Sequence, residues 1–228
     1  KIQSKEELAT CIVRKAAQTY LHQGRALDAV KIYNLIEGYE SVVSIINKEL
    51  AEHLLTLRQT SIIDTQQQVM DAARSIYRIY SKQPTILAQM DQRSFKTLHI
   101  LLELEEFTRL YLSSKYEEAL VKVEQLNLIP LSGDISAIAR ASDQYRTLDE
   151  GVAQNIPDVL LRVMEILRAQ VIRTKANALP DAGRQQFLQD AQTKARSIMS
   201  FSGMIRFRMP ADTYVRLGRL DSEIRDHF

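Results

Sequence analysis

Side chains able to do chemistry are few in this chain and stand apart from one another. The histidines are His22 by a helix end, His53 and His99 within helices, and His227 at the terminus. No two of them share the i, i+4 spacing that sets a pair of zinc ligands on one helix face. His99 lies among leucines, where a packed ring with one nitrogen satisfied is the ordinary state of a histidine. Cys11, between Leu8 and Ile12, reads as a small buried apolar residue; a reactive thiol wants exposure and a basic neighbourhood, and Arg14 and Lys15 are its nearest cations. The carboxylates Glu105–Glu106 and Glu117–Glu118 are adjacent in sequence, so on a helix they splay apart and do not share a proton. No G-x-G-x-x-G, G-x-x-x-x-G-K-S/T or G-x-S-x-G occurs, which leaves phosphate cradles and nucleophile elbows without support. No catalytic residue, metal or cofactor is expected, and the chain does not read as an enzyme.

The charge balance is equally plain. Thirty Lys and Arg against 28 Asp and Glu leave a net charge of +2 over 228 residues, too even to advertise nucleic acid or membrane as the main partner. One region departs from this. Between Arg162 and Arg219 eleven Lys and Arg meet four acids, and Arg206-Phe207-Arg208 interleaves an aromatic. Such an excess could attract phosphate, but it is spread over three helices, and a solvated outer face is the simpler reading. A single cysteine rules out an internal disulfide framework and fits a reducing compartment. No run approaches the ~20 apolar residues of a spanning helix, so no membrane span is expected. No signal peptide opens the chain; Lys1 already stands in a helical pattern, as in a piece cut from a longer protein.

The elements that would position these side chains are helices throughout. Apolar residues recur at 3.6-residue spacing almost everywhere, and alternation at period 2 is nowhere of note. Seven glycines and five prolines are few for the length, which argues against an all-β fold. The spacing predicts helices over about 5–23, 26–36 and 40–58, with stripes Leu8-Ile12-Ala16-Tyr20, Ala29-Val30-Tyr33-Ile36 and Val43-Ile46-Leu50-Leu54-Leu57. Gly24 can stop the first, and the second and third hinge on Gly38 and Tyr39. Asp64 and Thr65 can cap a fourth, whose stripe is Val69, Ala73, Ile76, Tyr77 and Tyr80. Beyond Pro84 the pattern gives helices at about 91–113 and 115–127, a break at Pro130 and Gly133, then about 134–150, 157–177 and 181–202, and a last one from near Pro210. Roughly ten helices joined by short turns should pack as antiparallel neighbours.

Two of them, Leu98–Leu112 and Ile156–Ile172, carry apolar residues all round the axis, which predicts inner helices covered on every side; Leu102 and Leu161 are taken as core. A weak repeat supports stacking, since "GRALDAVKIYNLI" and "SKYEEALVKVEQL" superimpose with Ala29 over Ala119 and Val30 over Leu120. Residues 1–228 are therefore expected to form a single all-α unit, an irregular solenoid of stacked antiparallel hairpins.

One stretch remains, "SIMSFSGMIRFRMP" at 197–210. Gly203 suits a left-handed helix cap, with Met204 folded back on Ile198 or Met199. In the alternative, Phe201, Met204, Ile205, Phe207 and Met209 form part of an apolar groove that receives a partner's helix, a task to which methionine adapts well.

Residues 24–47, "LSSKYEEALVKVEQLNLIPL" at 112–131 and "SFSGMIRFRMPADTYVRL" at 200–217 stand in an order and spacing that resemble the C-terminal part of the nucleoporin-interacting-component family. In the family pattern a proline follows the Met-Ile pair; here Arg206 stands there. The resemblance implies the tail of a solenoid of the ancestral coatomer type, acting as a scaffold of the nuclear pore complex inner ring at the nuclear envelope, without catalysis. It implies other nucleoporins as partners, among them a short segment of a membrane-associated linker nucleoporin. A coat or tethering helical-repeat subunit of membrane traffic would share the architecture and is the alternative.

Overall fold

A computed structural model of the chain describes residues 5–57, 64–176, 181–205 and 209–226, and among them it contains helices and turns and no strand. In chain order the helices are α1 (Lys5–His22), α2 (Ala26–Leu35), α3 (Tyr39–Thr56), α4 (Asp64–Tyr80), α5 (Pro84–Leu87), α6 (Gln92–Leu112), α7 (Tyr116–Leu126), α8 (Ile135–Arg146), α9 (Glu150–Ala153), α10 (Ile156–Ala176), α11 (Asp181–Met204) and α12 (Ala211–Arg225). Two compact units divide the chain, Lys1–Leu102 and Glu103–Phe228.

In the first unit the helices pack in sequence order, α1 on α2, α2 on α3, α3 on α4 and α4 on α5. The α1–α2 turn follows from Gly24, which takes φ +71 while the Arg25 amide reaches back to the Tyr20 carbonyl at 2.9 Å. At the α2–α3 turn the left-handed residue is Glu37 (φ 55), not Gly38. Gly38 is needed for closeness instead: a Cβ there would lie 3.2 Å from the Tyr33 ring and 3.3 Å from the Tyr33 carbonyl oxygen. The core is Ala29, Val30 and Tyr33 of α2 against Val43, Ile46, Leu50 and Leu54 of α3, with Met70, Ala73 and Tyr80 of α4. Polar bonds between elements fix the register: Tyr80 donates to Asn34 Oδ1 at 2.6 Å, and Glu40 accepts from the Asp91 amide and the Ser94 hydroxyl at 2.8 and 2.6 Å.

The buried face of α1 is not the expected one. Ala17 is fully buried, while Ile12, Ala16 and Cys11 are exposed. The apolar residues Ile12, Val13, Ala16 and Ala17 offer two faces one residue apart, and the helix uses the second. Cys11 is therefore a surface thiol. The side chains of Leu8, Asp64 and Thr65 lie outside the described residues, so the expected cap at Asp64 does too.

In the second unit α10 is central, packed against α7, α9, α11 and α12, while α11 also meets α8 and α12. Val159, Leu160, Leu161, Val163, Met164, Ile166 and Leu167 are all buried, as a helix apolar on every side requires. The other expected inner helix is covered over a broad arc, with Ile100 and Leu110 also buried, but not all round. Along α6 Leu98, Leu101, Leu104 and Phe107 are buried, but Leu102 is half-buried and Leu112 is exposed. The segment expected as one helix over 134–150 is two: α8 starts on Asp134, whose carboxylate accepts from the Ser136 and Ala137 amides at 3.0 and 3.1 Å, and Asp149 caps the short α9 through the Gly151 amide at 2.8 Å. Among the described residues no helix is long and apolar enough to cross a membrane.

Candidate partner-binding site

Helix α11 places the residues of the expected groove, and it turns most of them inward. Ile198, Phe201 and Ile205 follow one another at helical spacing and are fully buried. The Phe201 ring meets Tyr145 of α8 edge-on, centroids 6.3 Å apart, and the Tyr145 hydroxyl donates to the Ala153 carbonyl at 3.3 Å. Phe201 and Ile205 are thus core residues holding α11 in the second unit, not open walls of a groove. Gly203 does not cap the helix: α11 runs through it to Met204, with no positive φ there and open space beside its Cα. Met204 is left 44% exposed and Met209 half-buried. Phe207, with Arg206 and Arg208, lies outside the described residues, as does His227. Met204 and Met209 are what the described structure offers toward that surface.

Part of the basic excess is paired within the fold. Arg162, half-buried on α10, donates to Thr108 Oγ1 at 2.6 Å and sits 5.6 Å from the centroid of the Tyr111 ring. Burial pulls its guanidinium below the usual arginine range. Tyr111 donates to Glu165 at 2.5 Å, and Glu165 also faces Arg216 at 3.6 Å, so α6, α10 and α12 share one polar seam. Burial and that bond to a carboxylate push the Tyr111 hydroxyl well above the usual tyrosine range. Arg168 and Arg219 both pair with Glu223, and Lys194 lies 2.9 Å from Glu124 and 3.1 Å from Asp190. Arg173, Lys175 and Arg196 remain as exposed cations on two helices. They form no dense phosphate-binding patch.

Two clefts accompany these features. In the second unit a cleft of about 680 Å³ lies between the end of α7, the 127–132 connection, α8 and α11, with Ile129, Pro130 and Leu131 in its wall. The connection packs tightly, since a Cβ on Gly133 (φ +79) would meet Thr193 Cγ2 at 2.6 Å. In the first unit a cleft of about 540 Å³ lies between the α1–α2 turn, α3 and the start of α4. It contains His53, the buried histidine of the described part of the chain, 7% exposed. His99, expected to be packed, is instead exposed, its ring stacked on Tyr77 at 5.3 Å. Periodicity could have found His53, which stands three residues after Leu50 and seven after Ile46 on the buried face of α3. Among the described residues no group of three or more His, Cys, Asp or Glu is arranged to hold a metal ion.

Comparison with known proteins places this geometry. The family model described as Nup93/Nic96 matches residues 1–216. The chain is 27% identical over 229 residues to the meiotically up-regulated gene 87 protein of Schizosaccharomyces pombe, covering 98% of this chain and 27% of that protein. Nucleoporin NIC96 of Saccharomyces cerevisiae is 26% identical over 225 residues, covering 96% of this chain and 27% of the relative. The nuclear pore complex protein Nup93 of Danio rerio is 28% identical over 215 residues, with 92% and 25% covered. The chain thus spans about a quarter of the length of these relatives. In structure it is similar to the crystal structure of Chaetomium thermophilum Nic96 SOL, with a TM-score of 0.82 at 20% identity over 92% of this chain and 33% of that one. The fold is accordingly an all-α helical solenoid. The chain belongs to the Nup93/Nic96 family.

Proposed function

We propose that this chain is part of a helical scaffold of the nuclear pore complex at the nuclear envelope, in the inner ring, where it docks a short segment of a membrane-associated linker nucleoporin and catalyses nothing. The observation that carries the reading is the family match over residues 1–216, supported by relatives whose names are those of nucleoporins and by the likeness in fold. The sparse, mutually distant chemistry-bearing side chains and the absence of a metal-holding cluster among the described residues accord with a scaffold. That residues 1–228 work as one solenoid segment, and that Met204, Met209 and Phe207 contribute to its docking surface, belong to the same reading.

Affinity capture from a nuclear-envelope extract, with this chain as bait and mass spectrometry as readout, tests it. Nucleoporins are the expected capture; coat or tethering subunits in their place would overturn the assignment. Calorimetric titration with a linker-nucleoporin peptide then tests the surface. An apolar surface keeps its affinity as salt rises and loses it in Met204→Glu or Phe207→Glu, whereas a counterion-driven one falls steeply with salt and ignores both substitutions.

A further inference from the structure

The cleft in the first unit carries polar groups that the fold leaves unanswered. His53 Nδ1 is buried and has no hydrogen-bond partner, although the residue is more than nine-tenths covered. A buried polar atom without a partner is destabilising, so a chain that keeps one gains when something fills the place. One turn before it, Glu49 is half-buried in the same wall, with no hydrogen bond or close ion pair among the described residues. Burial, and then the neighbouring Glu52, raise its carboxyl above the usual range, and the smaller opposing pull of Lys48 does not offset them. Burial likewise pulls the His53 imidazole down and keeps it neutral, so that it accepts a hydrogen bond at one nitrogen.

Among the described residues, the other charged groups that line the cleft do not supply what is missing. Asp28 is held by Arg25 at 2.7 Å and Lys31 at 3.3 Å, and Arg25 lies 4.5 Å from the centroid of the Tyr20 ring. Glu52 has only Lys48, 3.9 Å away between two exposed side chains, a contact worth little. The cleft therefore keeps an acidic side at Glu49 and Glu52, a neutral acceptor at His53 and apolar surface from Ala26, Leu27 and Val69. At about 540 Å³ it falls within the size range of small-ligand sites, roughly 300–1,000 Å³.

We propose that this cleft takes up a basic side chain, arginine above all, presented by a short amphipathic segment of a partner protein. A guanidinium carries five donors in a fixed fork, so one group can pair with the Glu49 carboxylate while donating to the His53 imidazole; apolar neighbours in the segment would cover Leu27 and Val69. The site belongs to the first unit, its chemistry is opposite to that of the Met204–Met209 surface of the second, and it does not depend on the nuclear pore assignment.

The test uses the full chain, isotope-labelled, titrated at 150 mM NaCl with the peptides acetyl-Leu-Arg-Ala-Leu-amide and acetyl-Leu-citrulline-Ala-Leu-amide. Citrulline keeps the shape of arginine and removes the charge. The arginine peptide should shift the His53 ring and Val69 methyl signals, and the citrulline peptide should bind at least tenfold more weakly. Glu49→Gln should weaken the arginine peptide at least tenfold, and the more exposed Glu52→Gln about threefold. Glu117→Gln, on α7, should change nothing. If Glu49→Gln fails to fold, the citrulline comparison and Glu52→Gln decide. No shift at His53 and Val69, equal binding of the two peptides, or undiminished binding to a folded Glu49→Gln chain would overturn the proposal.

Discussion

Truncating Leu161 and Leu102 separately measures how differently α10 and α6 are covered. Leu161 is 3% exposed, on a helix packed against four others in the second unit. Leu161→Ala removes three buried carbons and leaves a cavity that a helix held on several sides cannot close. The cost should be about 3 kcal/mol, within the range of buried leucine truncations. Leu102 is half-buried, so its lost carbons were partly in water and their place opens to solvent; the cost should be about 1 kcal/mol. For a chain of this size each kcal/mol moves the melting temperature by about 2–4 °C, giving roughly 6–12 °C for Leu161→Ala and 2–4 °C for Leu102→Ala. Calorimetry at matched scan rate, with urea titrations monitored by circular dichroism, reads both. Equal losses would refute the reasoning, because they would mean that solvent exposure along α6 does not reflect its packing.

Gly218, near the middle of α12 with open space beside its Cα, should gain from Gly218→Ala by up to about 1 kcal/mol, and a lower melting temperature would show that α12 is not held as a regular helix there. Tyr111→Phe deletes a hydrogen bond to the Glu165 carboxylate and should cost about 1.5–3 kcal/mol; in a double-mutant cycle with Glu165→Gln, strict additivity would show that the two are not coupled. Because burial lowers the folded pKa of His53 from its ordinary 6.5, its contribution to stability is complete above that value and is lost as pH falls through it toward the folded pKa. Glu49, raised by burial and Glu52, acts in the opposite sense at lower pH, so the informative quantity is the difference between parent and His53→Gln: the variant should lose less stability from pH 7 to about 5, and parallel curves would refute it.

Helical periodicity was enough to place most elements, and it worked best where the pattern was least ambiguous. The stripe of α3 and the all-round apolar surface of α10 lie in the core except at their ends, where Leu57 is half-buried and Ile172 is 39% exposed. Helix α6 looked the same by composition, but periodicity counts the apolar residues a helix has and not the neighbours it acquires. Gly203 illustrates a related limit. A glycine after a serine pair suits a cap, yet Ser202 bonds back to the Met199 carbonyl at 2.8 Å and the helix carries on through a glycine that nothing crowds. The two short helices α5 and α9 are held by local caps and turns, and such one-turn pieces carry no period to detect.

The candidate site was harder to read for a more basic reason. A docking face and a core face of a helix are built from the same residues at the same spacing, so only the structure separates Phe201, packed on Tyr145 of α8, and the buried Ile205 from the wall of a groove. What separates the two is whether the fold has already used the side chain, and apolar groups leave no trace of an unmet need. Polar groups do. Arg162, Lys194 and Arg219 find partners within the chain, which removes part of the basic excess as a binding signal. His53 Nδ1 has no hydrogen-bond partner among the described residues and the Glu49 carboxylate no close ion pair there, and the proposed arginine site beneath the α1–α2 turn rests on these two groups. In a stack of helical hairpins such places arise where a turn projects over the next pair, because backbone closure, not side-chain packing, decides what lies beneath it. The 24–28 turn over α3 and α4 is one of them. It is defined by a histidine whose register on α3 was visible in the sequence and whose missing partner was not.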